Sequence, residues 1–183
     1  MKKIIAVFGS ARIHPNDAVY QQSYDIGRAL ALAGYITMTG GYAGVMEAAS
    51  KGAQEAGGDV QGITVASLEY IGESRTNQWV TEEIRYETLP ERVKHLVDTA
   101  DAYITMPGGI GTAQEIIEVW QQMRLGDLPE KPLYIYGDFW QPMIQNMLKD
   151  KYVNELDMHL LTQVNTPQEI IEALAIAFDE EQA

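Results

Sequence analysis

Short apolar, β-branched runs closed by glycine alternate along the chain with longer stretches of helical periodicity. "KIIAVFG" (Lys3 to Gly9) reads as a buried strand, "VYQQSYDIGRALALAG" (Val19 to Gly34) as a helix and "YITMTGG" (Tyr35 to Gly41) as a second strand. A helix over "AGVMEAASKGAQEAG" and a strand at "VQGITVA" (Val60 to Ala66) follow. From Ser67 to Tyr86 the pattern weakens into a polar stretch, read as a long loop with one short strand near Arg85 to Thr88. Loops of that length inside a domain are usually functional or mobile. Regularity then returns: helix Pro90 to Ala100, strand "DAYITMP", helix Thr112 to Leu125, strand "PLYIYG", helix Gln141 to Lys149, strand "LLTQV" and a closing helix from Pro167. Thr166-Pro167-Gln168-Glu169 offers that last helix an N-cap, a first-turn proline and a capping-box glutamate, and the tail "FDEEQA" reads as its fraying end.

Strands that alternate with helices imply a parallel sheet, because parallel neighbours need crossover connections. The pattern therefore predicts one α/β domain over residues 1–183, Rossmann-like and doubly wound, with a mostly parallel sheet flanked by helices. No internal repeat interrupts it.

Composition narrows the function classes. A formal charge of −13 repels polyanions, so neither nucleic acid nor an anionic membrane surface is an expected partner. No apolar run approaches the ~18 residues of a membrane span, and "MKKIIAVFGS" turns polar too early for a signal peptide, so a cytoplasmic location is expected. The absence of cysteine removes disulfides, thiolate metal sites and thiol nucleophiles. His14, His95 and His159 lack metal-ligand spacing, so no metal and no cofactor is expected.

In doubly wound sheets, ligands bind outside the carboxyl ends of the strands. Three of those ends carry glycine turns that lead into helices: Gly9-Ser10-Ala11-Arg12, Thr39-Gly40-Gly41-Tyr42-Ala43-Gly44 and Pro107-Gly108-Gly109-Ile110-Gly111-Thr112. Glycine lets backbone N–H groups approach a ligand, and the helix start adds unpaired donors and partial positive charge, which suits phosphate. Tight strand-to-helix turning explains any one such loop equally well. Neither the Walker A pattern nor the dinucleotide fingerprint is present. Ser10 lacks a nucleophile elbow and reads as a hydrogen-bonding group for phosphate or ribose.

Two charged residues stand near these turns. Glu115 has capping-box spacing from Thr112, so a helix cap explains it, while a sugar-facing carboxylate is the functional alternative. Arg92 falls in the first turn of a helix that starts near Thr88, where the helix dipole disfavours a cation. It either pairs locally with Glu91 or Glu87, or reaches into the site to meet phosphate or a departing base. Trp120, Met123 and Leu125, on the Glu115 helix, are spaced for packing or a subunit contact.

The run Pro107-Gly108-Gly109-Ile110-Gly111-Thr112-Ala113-Gln114-Glu115 matches P-G-G-x-G-T-x-x-E and resembles the signature of the Lonely Guy (LOG) family, often labelled lysine decarboxylase-like. The resemblance extends through "VFGSAR", "GYITMTGGYAGVMEAASKGAQEAGG", "TADAYITMPGGIGT" and "KPLYIYGDFW". It implies a Rossmann-like homodimer that hydrolyses the N-glycosidic bond of nucleoside 5'-monophosphates, cytokinin ribotides or AMP, to free base and ribose 5-phosphate. It further implies Arg92 and Glu115 as the catalytic pair, with Gly9, Ser10, Gly40, Gly41, Pro107, Gly108, Gly109, Gly111 and Thr112 around the substrate phosphate. One departure stands out: the family has Arg-Lys in tandem, whereas Val93 follows Arg92 here, and Lys94 points in another direction around the helix. A pyridoxal-dependent decarboxylase would need a Schiff-base lysine with a partner for the ring nitrogen, and none of the chain's lysines sits in such a context. The rival expectation is a non-catalytic nucleotide or molybdenum-cofactor carrier of the same fold, which would keep the glycine turns without requiring Arg92 together with Glu115.

Overall fold

The computed structural model describes residues 2–70, 75–149 and 152–180. Its first half runs β1 (Ile4–Phe8), α1 (Ala18–Leu32), β2 (Ile36–Thr39), α2 (Val45–Glu55), β3 (Val60–Val65), α3 (Ala66–Tyr70), β4 (Glu82–Tyr86) and α4 (Leu89–Thr99). The second half runs β5 (Ala102–Thr105), α5 (Ile110–Leu125), β6 (Leu133–Tyr136), α6 (Gln141–Lys149), a 3-10 helix (Glu155–Leu160), β7 (Thr162–Val164) and α7 (Pro167–Glu180).

Because β1 is apolar at every position, both of its faces must be covered. Ile5 and Val7 pack with Ile26 and Leu30 of α1, Val45 and Ala49 of α2, and Ile170 and Leu174 of α7. Ala6 and Phe8 point the other way, into Val93, Leu96 and Val97 of α4 and Val119, Trp120 and Met123 of α5. A smaller cluster of Ile116, Ile135, Trp140 and Ile144 seats α6 on that second face. The period-2 alternation of one strand thus sorts the helices into two layers.

All the strand pairings are parallel, in the order β4-β3-β2-β1-β5-β6-β7. Ile5 pairs with Thr37 of β2 on one side and Ala102 of β5 on the other. The direction of winding therefore reverses between β1 and β5, which opens a crevice at their carboxyl ends. This is the expected doubly wound α/β architecture, and the sheet is parallel throughout.

Three local expectations are corrected. The strand expected near Arg85 to Thr88 lies at Glu82–Tyr86, in register with β3 from Gln61–Glu82 to Val65–Tyr86. It is a charged edge strand, so no apolar run announces it. The stretch from Ser67 opens as helix α3 rather than as a loop; residues 71–74 lie outside the described residues, as do 181–183 of the tail. The helix expected from Thr112 begins at Ile110, because the Gly109 carbonyl already accepts the Ala113 N–H at 2.9 Å. At the start of α7 the Thr166 cap is as read, its Oγ1 accepting the Glu169 N–H at 3.1 Å, but Glu169 departs from the capping box: its carboxylate accepts the N–H of Asn165, one residue before the cap, at 2.7 Å.

The three turns are tied together by backbone hydrogen bonds. Ser10 N–H donates to the Pro107 carbonyl at 3.1 Å, and Val45 N–H donates to the Ser10 carbonyl at 2.8 Å. The second bond depends on Gly44, whose φ is +68° and whose missing Cβ would stand 2.2 Å from the Ser10 carbonyl oxygen. Gly44→Ala is expected to lower stability by about 2 kcal/mol or more in urea unfolding, from left-handed strain plus the forced separation of the loops.

Candidate active site

The start of α4 is built to present Arg92 inward. Glu91 closes a capping box, accepting the Thr88 N–H at 3.1 Å and the Thr88 hydroxyl at 2.6 Å. That occupies Glu91 and leaves Arg92 to the next position, where it is only 6% exposed. Its Nε donates to the Ile63 carbonyl at 2.7 Å, and its Nη2 reaches the Gly40 carbonyl at 3.4 Å. The guanidinium lies 5.7 Å from the centre of the Tyr42 ring. Nη1 faces Glu115 Oε1 at 3.9 Å. The local pairing of Arg92 with Glu91 or Glu87 is therefore replaced by a pairing across the crevice.

Glu115 is not a helix cap. With Gly109 at the N-cap it stands in the second turn of α5, 9% exposed. Its carboxylate takes no hydrogen bond from the described residues. Burial pushes its pKa up to about 7, and the Arg92 charge only partly offsets that.

Thr112 lies within the first turn, and the N–H groups of Ile110, Gly111 and Thr112 have no helical acceptor. The glycines expected near phosphate divide by what lies in front of them. A Cβ on Gly9 would meet Val45 at 2.6 Å, one on Gly41 would meet Thr64 at 2.9 Å, and one on Gly108 would meet the Thr112 hydroxyl at 2.2 Å. At Gly40 it would stand 2.0 Å from Arg92 Nη2, so this glycine makes the room that Arg92 occupies. Gly109 and Gly111 face open space. The first four shape the site from within, and the last two, with the free amides of α5, leave room for a ligand. Pro107 contributes the carbonyl that holds Ser10, while the Ser10 hydroxyl accepts the Arg12 N–H at 3.0 Å.

Val93 is buried in the core beneath the sheet, and Lys94 is exposed and paired with Asp98. The residue after Arg92 thus brings no second cation into the site. His14 is exposed, His95 Nδ1 is hydrogen-bonded to the Tyr86 hydroxyl at 2.8 Å, and His159 lies beside Glu130. Trp120 and Met123 pack into the core, whereas Leu125 is exposed. A separate cavity of about 720 Å³ lies along α5 between Trp120, Arg124, Met147 and Tyr152, and shares no lining residue with the glycine turns.

Two participants were not anticipated. Asn77 donates its N–H to the Gly41 carbonyl at 2.8 Å and its Nδ2 to the Tyr42 carbonyl at 2.9 Å, tying the polar stretch to the second turn. Tyr42 touches Arg92. The available signal was an aromatic residue placed inside a glycine turn.

The family model described as "Possible lysine decarboxylase" matches residues 46–174. The chain belongs to this family, the LOG family. Among LOG-family relatives, the cytokinin riboside 5'-monophosphate phosphoribohydrolase of Mycobacterium marinum is 28% identical, over 93% of this chain and 92% of that protein. The LOG5 enzyme of the same name from Arabidopsis thaliana is 28% identical over 74% of this chain, which spans 60% of that protein. Solved structures with the same fold include the molybdenum cofactor carrier protein of Chlamydomonas reinhardtii, with TM-score 0.75 and 23% identity over 98% of this chain and 99% of that one. The molybdenum cofactor binding protein of Rippkaea orientalis has TM-score 0.74 and 24% identity over 96% of each chain.

The raised pKa of Glu115 links stability to pH. Folding favours the uncharged carboxyl, so that contribution is full below the unfolded value near 4.5 and is lost as pH rises through about 7. Glu115→Gln cannot ionise. Its stability relative to the parent is expected to improve by about 3 kcal/mol between pH 4 and pH 8 in parallel urea titrations. A difference independent of pH would contradict the buried, raised carboxyl.

Proposed function

We propose that this protein hydrolyses the N-glycosidic bond of nucleoside 5'-monophosphates, cytokinin ribotides or AMP, releasing the base and ribose 5-phosphate. The observation that carries the reading is a buried carboxylate facing an arginine anchored on backbone carbonyls, beside an open helix start. The LOG-family relatives named as phosphoribohydrolases support it.

In this reading the 5'-phosphate sits on the free amides of Ile110, Gly111 and Thr112, where the α5 dipole favours an anion. The sugar then extends toward Glu115. As the bond from C1' to the base nitrogen breaks, its electron pair leaves with the base and the ribose gains oxocarbenium character, which a carboxylate stabilises. Water oxygen bonds to C1' and loses a proton to Glu115, and the base takes up a proton as it departs. A carboxyl titrating near 7 is matched to that proton transfer at neutral pH. Arg92 meets the phosphate or the departing base with the Nη1 that its backbone bonds leave available.

The decarboxylase wording of the family description fits these residues less well. Lys2, Lys3 and Lys94 pair with Asp59, Asp101 and Asp98, and Lys131 donates to the carbonyls of Asp98 and Ala100. The same proposal takes the working form as a cytoplasmic homodimer, with exposed Ile117 and Leu125 of α5 as apolar surface for a second copy. Sedimentation equilibrium is expected to give twice the chain mass.

Incubation with AMP and with isopentenyladenosine monophosphate, followed by chromatography of the released base, tests the activity. Turnover is expected with at least one of them, and Glu115→Gln should lower kcat by about 10³-fold. Nucleotide binding without base release by the parent protein would instead identify a carrier.

A further inference from the structure

The two backbone carbonyls that hold Arg92 accept from Nε and Nη2, along one edge of its guanidinium. Tyr42 supplies a restraint on the guanidinium plane. Its ring is 4% exposed and lies 5.7 Å from the Arg92 Cζ, within cation–π range. The residue is itself held at the ring hydroxyl and at its backbone. At its tip, the hydroxyl donates to the Val65 carbonyl at 3.1 Å and accepts the Val65 N–H at 2.8 Å. On the main chain, the Tyr42 backbone carbonyl accepts Asn77 Nδ2 at 2.9 Å. Val65 ends β3, two residues beyond the Ile63 carbonyl that receives Arg92 Nε, so ring and guanidinium are anchored on the same strand end.

We propose that Tyr42 is a positioning residue for Arg92: its ring, anchored through the hydroxyl on Val65, holds the guanidinium plane so that Nη1 faces Glu115. The proposal rests on the reading of Arg92 and Glu115 as the catalytic pair, but the orientation is measurable without turnover.

Side-chain ¹⁵N spectra of Arg92 and a ¹³C titration of the Glu115 carboxyl, in the parent protein, Tyr42→Phe and Tyr42→Leu, provide the test. The parent should show resolved Arg92 Nη resonances and a Glu115 midpoint near 7. In Tyr42→Leu the Arg92 resonances should average. The Glu115 midpoint should rise by about half a unit or more, because Arg92 is the charge that lowers it. With AMP, kcat should fall about tenfold or more while KM changes less than about threefold. Tyr42→Phe keeps the ring but loses its anchor on Val65, so its resonances and midpoint should fall between those of the parent and Tyr42→Leu, with a loss of thermal stability from the unpaired Val65 groups.

Averaged Arg92 resonances in the parent would overturn the proposal, and this readout stands even if Tyr42→Leu fails to fold. So would a folded Tyr42→Leu with an unchanged Glu115 midpoint, or a Phe variant shifted as far as the Leu variant. A moved midpoint in a protein that releases no base would support the positioning role while refuting the catalytic reading.

Discussion

The structure turns on a pair of opposite charges withdrawn from water and kept apart. At 3.9 Å, Arg92 and Glu115 are beyond hydrogen-bond distance, so the carboxylate has lost its solvent without gaining a donor in exchange. The cost appears as the upward pKa of Glu115. A tighter contact would have lowered it and left a structural salt bridge. The pair stays open because Arg92 is drawn the other way by the carbonyls of Ile63, within β3, and Gly40, just after β2. Charge that is buried but incompletely satisfied is destabilising on its own and useful where a ligand can complete it.

That arrangement depends on the chain reversal between β1 and β5. The crevice there receives α5, whose glycine-rich first turn carries free amides outward while Glu115, five residues later, looks inward. At ~1.5 Å per residue the two lie about 7 Å apart along the helix, the scale of a ribose 5-phosphate. Arg92 arrives from the opposite side on α4. In the proposed reaction one helix serves phosphate and sugar, and a second helix brings the cation.

The alternation of strands and helices, and with it the doubly wound parallel sheet, was legible in the sequence because apolar runs such as β1 are separated by segments of helical periodicity. Elements governed by weaker patterning were harder to place. The edge strand β4 alternates charged and half-buried residues, and α3 continues from β3 without a break signal. At the site, residue types and spacing single out Arg92 and Glu115. Capping statistics mistook Glu115 for a local feature, because Thr112 and Glu115 have the right spacing although the helix starts earlier, at Gly109. The roles of Gly40 and Tyr42 were illegible for a different reason. Each acts on Arg92, 52 and 50 positions away in sequence, so only tertiary structure reveals the contact.

The central claim, that Glu115 faces the sugar of a nucleotide whose phosphate rests on the start of α5, is tested most directly by a crystal structure of Glu115→Gln soaked with AMP. Intact nucleotide is expected, with phosphate oxygens on the amides of Ile110 to Thr112 and C1' beside the side chain at position 115. Phosphate bound away from that helix start, or a base rather than a sugar against position 115, would contradict it.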